Sequence, residues 1–106
     1  MATASIELGK VGYNRELHGR CIRQESLTIS GSEAELATAV TAAEVAAGVE
    51  MVRVSTDTAC YVAIGSAPDT TATAATGATT ARRMIPAGFV FDTPIGIGDL
   101  IAVKAL

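Results

Sequence analysis

The sequence predicts a mainly β fold, a small antiparallel β-sandwich or barrel-like domain, and three observations lead there. Apolar and polar residues alternate at period two in short runs such as Val52-Arg53-Val54 and Cys60-Tyr61-Val62-Ala63-Ile64. Turn-forming clusters separate the runs: Ser55-Thr56-Asp57-Thr58, Ser66-Ala67-Pro68-Asp69 and Pro86-Ala87-Gly88. The runs recur roughly every dozen residues, the spacing of sandwiches and small barrels. With 106 residues the chain is expected to be one domain. A domain of this size buries a little over about 60% of its unfolded surface. Nearly half the residues are apolar, but there are two Phe, two Tyr and no Trp, so the core is expected to be thin and to lean on neighbouring subunits.

Residues 1–24 read as an extended N-terminal arm and residues 25–106 as the β-domain. Ser5-Ile6-Glu7-Leu8 is a short strand within the arm, and Gly9, Gly12 and Gly19 are spaced too closely for a stable helix. Tyr13, Leu17, Cys21 and Ile22 are more apolar than a disordered tail requires, so a partner is expected to tie the arm down. Leu27 and Ile29 then alternate with Ser26, Thr28 and Ser30 in a half-buried strand that stops at Gly31.

Two readings compete for residues 33–47. One is a short helix, with Ser32 and Glu35 as a capping box, Leu36, Ala39, Val40, Ala43 and Ala47 at helical spacing, and Gly48 as the residue after the C-cap. The other is a pair of short strands, because Leu36, Thr38 and Val40 also alternate.

Residues 49–65 are expected to form the central hairpin. Val52, Val54, Cys60, Val62 and Ile64 would face inward, with Arg53 and Tyr61 on the opposite side. Thr70 to Ala81 contains only Thr, Ala and Gly77, which predicts a mobile loop or an exposed extended segment. Arg82-Arg83-Met84-Ile85 enters a strand ending at the Pro86-Ala87-Gly88 turn, and Phe89 and Phe91 follow on one face of the next, both assigned to the core. Leu100 to Leu106 is apolar on both faces except at Lys104, which predicts a central strand or an edge covered by a partner.

No catalytic or metal-binding set stands out. His18 is the only histidine, and His18 with Cys21 falls short of a zinc ligand set. No G-x-S-x-G elbow is present, and Gly96-Ile97-Gly98 precedes a strand rather than opening a helix, which makes it a connecting turn. Asp57, Asp69, Asp92 and Asp99 are too dispersed for a calcium loop. Cys21 and Cys60 are too few for a disulfide scaffold, and Cys60 reads as a small buried hydrophobe. No enzymatic activity and no cofactor are therefore expected.

The net charge of −3 is mild, and its placement is more informative. Lys10, Arg15, Arg20 and Arg23 outnumber Glu7 and Glu16 in the first 24 residues, whereas Glu25, Glu33, Glu35, Glu44 and Glu50 follow without a basic residue among them. Two readings stay open: one copy's basic segment pairs with another's acidic one, or both are solvated faces. Lys10, Tyr13, Arg15, Arg20 and Arg23, together with Arg82 and Arg83, are the candidate partner-binding residues. Arg82-Arg83 reads equally as an interface anchor or as a strand-entry pair with one side chain outward and one across apolar surface. An acidic chain without a basic stripe or stacking aromatics disfavours nucleic acid. The N-terminus lacks a signal-peptide pattern and no run is long and apolar enough to span a bilayer, so no membrane partner and a cytosol-like assembly site are expected.

Val52-Arg53-Val54-Ser55, then Cys60-Tyr61-Val62-Ala63-Ile64-Gly65 with Ala67-Pro68, then Ile85-Pro86-Ala87-Gly88, then Leu100-Ile101-Ala102-Val103 resembles small virion structural proteins encoded by tailed bacteriophages. The resemblance covers residues 49–106, and Thr70 to Ala81 is longer than the corresponding connection. It implies a β-sandwich present in many copies on the virion, assembled in the host bacterial cytoplasm and without enzymatic activity. The role expected first is a capsid decoration or cement protein that binds the major capsid protein and copies of itself as a homo-oligomer. A neck, tail or fibre-attachment protein forming a ring or trimer is the alternative within the virion, and a receptor- or glycan-binding β-module the alternative outside it.

Overall fold

The short strand expected at Ser5-Ile6-Glu7-Leu8 forms, but inside a sheet instead of within an arm. In this computed structural model, which describes residues 2–10, 21–71 and 82–106, β1 spans Thr3–Gly9 and pairs on both sides. One neighbour is β2, Cys21–Thr28, and the other is β4, Met51–Thr56. With β7, Val90–Pro94, these make the first sheet in the order β2-β1-β4-β7. The second sheet has the order β3-β8-β5-β6, with β3 at Ala34–Glu35, β8 at Leu100–Ala105, β5 at Cys60–Gly65 and β6 at Arg83–Ile85. All pairings are antiparallel, and the two four-stranded sheets stack around one aliphatic core without closing into a barrel.

The arm boundary at residue 24 is thereby revised: it would cut through β2, and Thr3–Gly9 could not be removed without deleting the strand between β2 and β4. The physical reason is burial, since Ala4, Ile6 and Leu8 are inside, and an apolar alternation of this length finds cover in a sheet. Residues 11–20 of the expected arm lie outside the described residues, as do residues 72–81 of the Thr/Ala-rich stretch.

The expected facing of residues 49–65 holds but the expected hairpin does not. Val52, Val54, Cys60 and Val62 are buried, Ile64 packs against the core, and Arg53 and Tyr61 lie on the outer faces. Yet β4 and β5 belong to different sheets. Both flanks of β4 are taken by β1 and β7, so the chain leaves the sheet at Asp57. There the Asp57 Oδ1 accepts from the Thr3 N–H at 2.8 Å, and the Asp57 N–H donates to the Thr3 carbonyl at 3.2 Å. This corner carries the chain across the core.

Residues 33–47 combine parts of both sequence readings. The helix is only Ala42–Ala46, here α1, and its capping box is Thr41 with Glu44 instead of Ser32 with Glu35. The Thr41 Oγ1 accepts from the Glu44 N–H at 3.1 Å and the Glu44 Oε1 accepts from the Thr41 N–H at 3.0 Å. Upstream, the backbone follows β8: Ala34 and Glu35 pair with Val103 and Ala102, and the N–H groups of Leu36 and Val40 donate to Ile101 and Asp99. An Ala-rich helix of this length is marginal in water, so a sheet edge offering backbone partners wins over it. Gly48, at φ 117° just after the C-cap Ala47, adopts the left-handed conformation expected of it.

The core consists of aliphatic side chains. Ile6, Leu8, Val52 and Val54 from one sheet meet Val62, Ile85, Ile101 and Val103 from the other, with Leu36, Val40 and Val49 filling the side toward α1. Neither phenylalanine belongs to it, against expectation: Phe89 is 50% exposed at a turn and Phe91 is half-buried at the rim. Val103 and Ile101 are fully covered, so the closing segment is the interior strand that its two-sided apolar pattern predicts.

Val62 is 2% exposed between the sheets. Val62→Asp places an unpaired carboxylate there at a cost of several kcal/mol, against a total stability of about 5–15 kcal/mol for a domain. The variant should show no cooperative melting transition by circular dichroism; an unchanged melting curve would refute the assigned facing of β5.

Candidate interaction surface

The two long sides of the sandwich are built differently. On the β2/β3 side the gap between sheets is laced by charged side chains. Arg23 donates through Nη1 to the Thr38 Oγ1 at 2.9 Å and to the Glu44 Oε1 at 3.2 Å, and through Nη2 to the Thr38 carbonyl at 2.8 Å. Its Nε lies 3.4 Å from the Glu25 Oε2, an ion pair without hydrogen-bond geometry. The Glu25 Oε1 in turn accepts from the Ala37 N–H at 3.1 Å. One strand residue therefore ties β2 to the segment between β3 and α1 and to the cap of α1.

The β6/β7 side is open. These two edge strands are joined by the Pro86–Phe89 turn, in which Gly88 has φ 74° and donates its N–H to the Thr56 carbonyl at 2.8 Å. Between the sheets lies a cleft of about 350 Å³, lined by Val62, Ile64, Arg83, Phe91, Thr93 and Asp99 among others. Thr93, Pro94 and Gly65 are too small to fill it. The Arg83 guanidinium spans the mouth, 4.7 Å from the Phe91 ring centroid. On the outer face of the second sheet Arg82 lies 3.8 Å from the Tyr61 centroid, and its Nη1 donates to the Thr70 carbonyl at 3.5 Å. Such stacks contribute about 0.5–1 kcal/mol when exposed, and more once a partner excludes water.

A polar clamp prepares that outer face. Glu33 Oε1 accepts from both the N–H and the hydroxyl of Thr70 at 2.8 Å, holding Thr70 between the β3 end and Arg82. Ala63 and Ala102 face outward there yet are buried.

Of the seven residues singled out in the sequence, Arg82 and Arg83 come together at the β6 edge, one toward each face. Each guanidinium lies over an aromatic ring. Arg23 satisfies its own chain's Glu44 and Thr38, so the acidic segment after residue 24 is partly neutralised from within. Lys10 is exposed, its methylenes beside Gly48. Tyr13, Arg15 and Arg20 lie outside the described residues, as does His18.

Sequence reasoning missed the apolar residues around this side. Met84 is 53% exposed and Phe89 50%, with Val90 similarly open; Ile97, 63% exposed, stands apart in the turn whose Gly98 N–H donates to the Val40 carbonyl. The available signal was position: Phe89 directly follows Pro86-Ala87-Gly88, and Ile97 stands between two glycines in a turn. Arg53 and Asp92 meet on the outer face of β4 and β7 in a bidentate pair at 2.8 and 2.9 Å, which pins β7 to its neighbour.

Among the described residues no cluster of three or more His, Cys, Asp or Glu is placed to hold a metal ion, and no helix is long and apolar enough to cross a membrane. The chain matches no family model, no curated protein and no solved structure.

The two thiols differ in environment. Cys21 is exposed, whereas Cys60 is buried and burial pushes its thiol pKa up, with the Asp57 carboxylate adding to the effect. One equivalent of thiol should react with a disulfide reagent in the native protein at mildly alkaline pH and the second only after denaturation; two equal rates would contradict the placement of β5. The Asp57 carboxyl is held below its ordinary range, chiefly by the Thr3 N–H. Its contribution to stability is therefore present above the ordinary carboxylate range and disappears as pH falls through the lowered value. Asp57→Asn should flatten the acid limb of a melting-temperature-versus-pH profile, and an unaltered limb would show that the corner bond does not matter.

Proposed function

We propose that the protein is a non-enzymatic structural component of a tailed-phage virion, acting as a capsid decoration protein that bridges subunits of the major capsid protein. The observation that carries the reading is the composition of the open side: Met84, Phe89, Phe91 and Tyr61 with Arg82 and Arg83. Aromatic residues, Met and Arg are the types enriched where proteins meet. The resemblance of residues 49–106 to small phage virion proteins supplies the class of partner. The closed β2/β3 side leaves the β6/β7 side as the surface that gains most from being covered, since a partner would exclude water from the cleft and from the Arg83–Phe91 stack. A decoration protein needs this division: a fold stable enough to assemble onto a finished shell, and one face that offers apolar area and guanidinium groups to it.

The test uses capsids of a tailed phage stripped of this protein, with binding read by co-sedimentation. Phe89→Ser should leave the melting temperature unchanged, because Phe89 is half exposed. It should weaken shell binding by about 2 kcal/mol, roughly thirtyfold, if the ring is a central anchor. Failure of the unaltered protein to bind shells would sink the proposal. A few copies per particle in place of many would shift the site of action to the neck, tail or fibre attachment.

A further inference from the structure

The two edges of the second sheet are oppositely charged. At one end, β3 carries the exposed Glu35, the preceding Glu33 being engaged by Thr70; at the other, β6 begins at Arg83 and follows Arg82, whose Nη1 also reaches the Thr70 carbonyl. Among the described residues no strand lies beyond either edge. We propose that copies of the chain associate head to tail, the β6 edge of one docking on the β3 edge of the next and continuing the sheet.

Strand polarity fits this contact. β3, β8, β5 and β6 alternate in direction, so β6 runs opposite to β3. A copy shifted along the sheet therefore brings its β3 antiparallel to the first copy's β6 without being turned over. The faces also agree. Glu35 is registered against Ala102 on the outer face, and Met84 against Tyr61 on the same face, where Arg82 stacks. The joint would set Glu35 of one copy beside Arg82 of the next and cover Met84, which is 53% exposed.

Charge also favours the mixed pairing over like pairings. β6 against β6 opposes arginines and β3 against β3 sets Glu35 against itself, so two-fold pairing at either edge is disfavoured relative to the mixed one. Both edges are short, three and two residues, so backbone bonds alone give a weak joint and the charges decide the partner. Head-to-tail contacts close into rings or extend as filaments according to the rotation between copies. A second copy is preferred over an unrelated acidic strand because the same molecule supplies the complementary charge, polarity and face at once.

The inference deepens the proposed multi-copy role, because the next copy takes the outer face at Met84 and Arg82 and leaves the cleft at Phe91 and Arg83 to the shell, and its test is separate from shell binding. Sedimentation velocity on the free protein should show concentration-dependent association that weakens as salt rises, because exposed ion pairs are screened beyond about 10 Å at 0.1 M. Glu35→Arg, on an exposed side chain, should run as a monomer at concentrations where the unaltered chain is associated. Arg82→Glu/Arg83→Glu should do the same. Mixed in equal amounts, the two variants should associate again, since each then offers the edge that the other lacks. An unaltered chain that stays monomeric, a Glu35→Arg variant of unchanged mass, or a mixture that remains monomeric overturns the inference, whatever shell binding shows.

Discussion

The corner at Asp57 is the constraint on which the architecture rests. β4 ends there with both of its flanks occupied, so β5 has no place beside it and must begin the opposite sheet. Thr3 holds the corner with two hydrogen bonds, fixing the start of β1 at the point where β4 ends. The chain then carries its alternation across the gap in phase. Val52 and Val54 end one apolar face, and Cys60 and Val62 open the one that covers it. Each buried aliphatic side chain contributes about 1.5–3 kcal/mol, and without the crossing the same residues would line a single sheet with nothing over it.

From that crossing follows the asymmetry of the two sides. Where β2 and β3 approach, the connecting segment and α1 lie close by, and Arg23 has carboxylate and hydroxyl oxygens within reach. Where β6 and β7 approach, the connection is a tight turn and the interior positions are Phe91, Thr93 and Ile64 with nothing large between them. A guanidinium over an aromatic ring is what remains to bridge the sheets there. The closed side is held by charges in fixed geometry; the open side keeps apolar and cationic groups at the surface, where contact with another molecule yields most.

Much of the fold was legible in the residues, and particular failures are instructive. Period-two alternation identified the inward side chains of β4 and β5 and the two-sided burial of β8, because side-chain facing is a local property of a strand. It found the strand at Ser5–Leu8 but set it in an arm, since the glycines that follow Leu8 suggested one, while the burial of Ile6 depends on β2 and β4 lying on either side. The capping signal S/T-x-x-E occurs at Ser30, at Ser32 and at Thr41, and choosing among them requires knowing that residues 34–40 bond to β8. Of the candidate surface, Arg82 and Arg83 were visible as a pair; their ring partners Tyr61 and Phe91 were not, being distant along the chain or on the other sheet.

The residues alone determined that this would be a β domain of short strands with an aliphatic interior, because alternation, β-branched content and turn chemistry act within a few positions. Only the tertiary structure decided which strands are neighbours, which side of the sandwich closes and which exposed groups share a surface. Those choices depend on which backbone edges are still unpaired when each strand arrives, and that is a property of the assembled sheets and of no single stretch of chain.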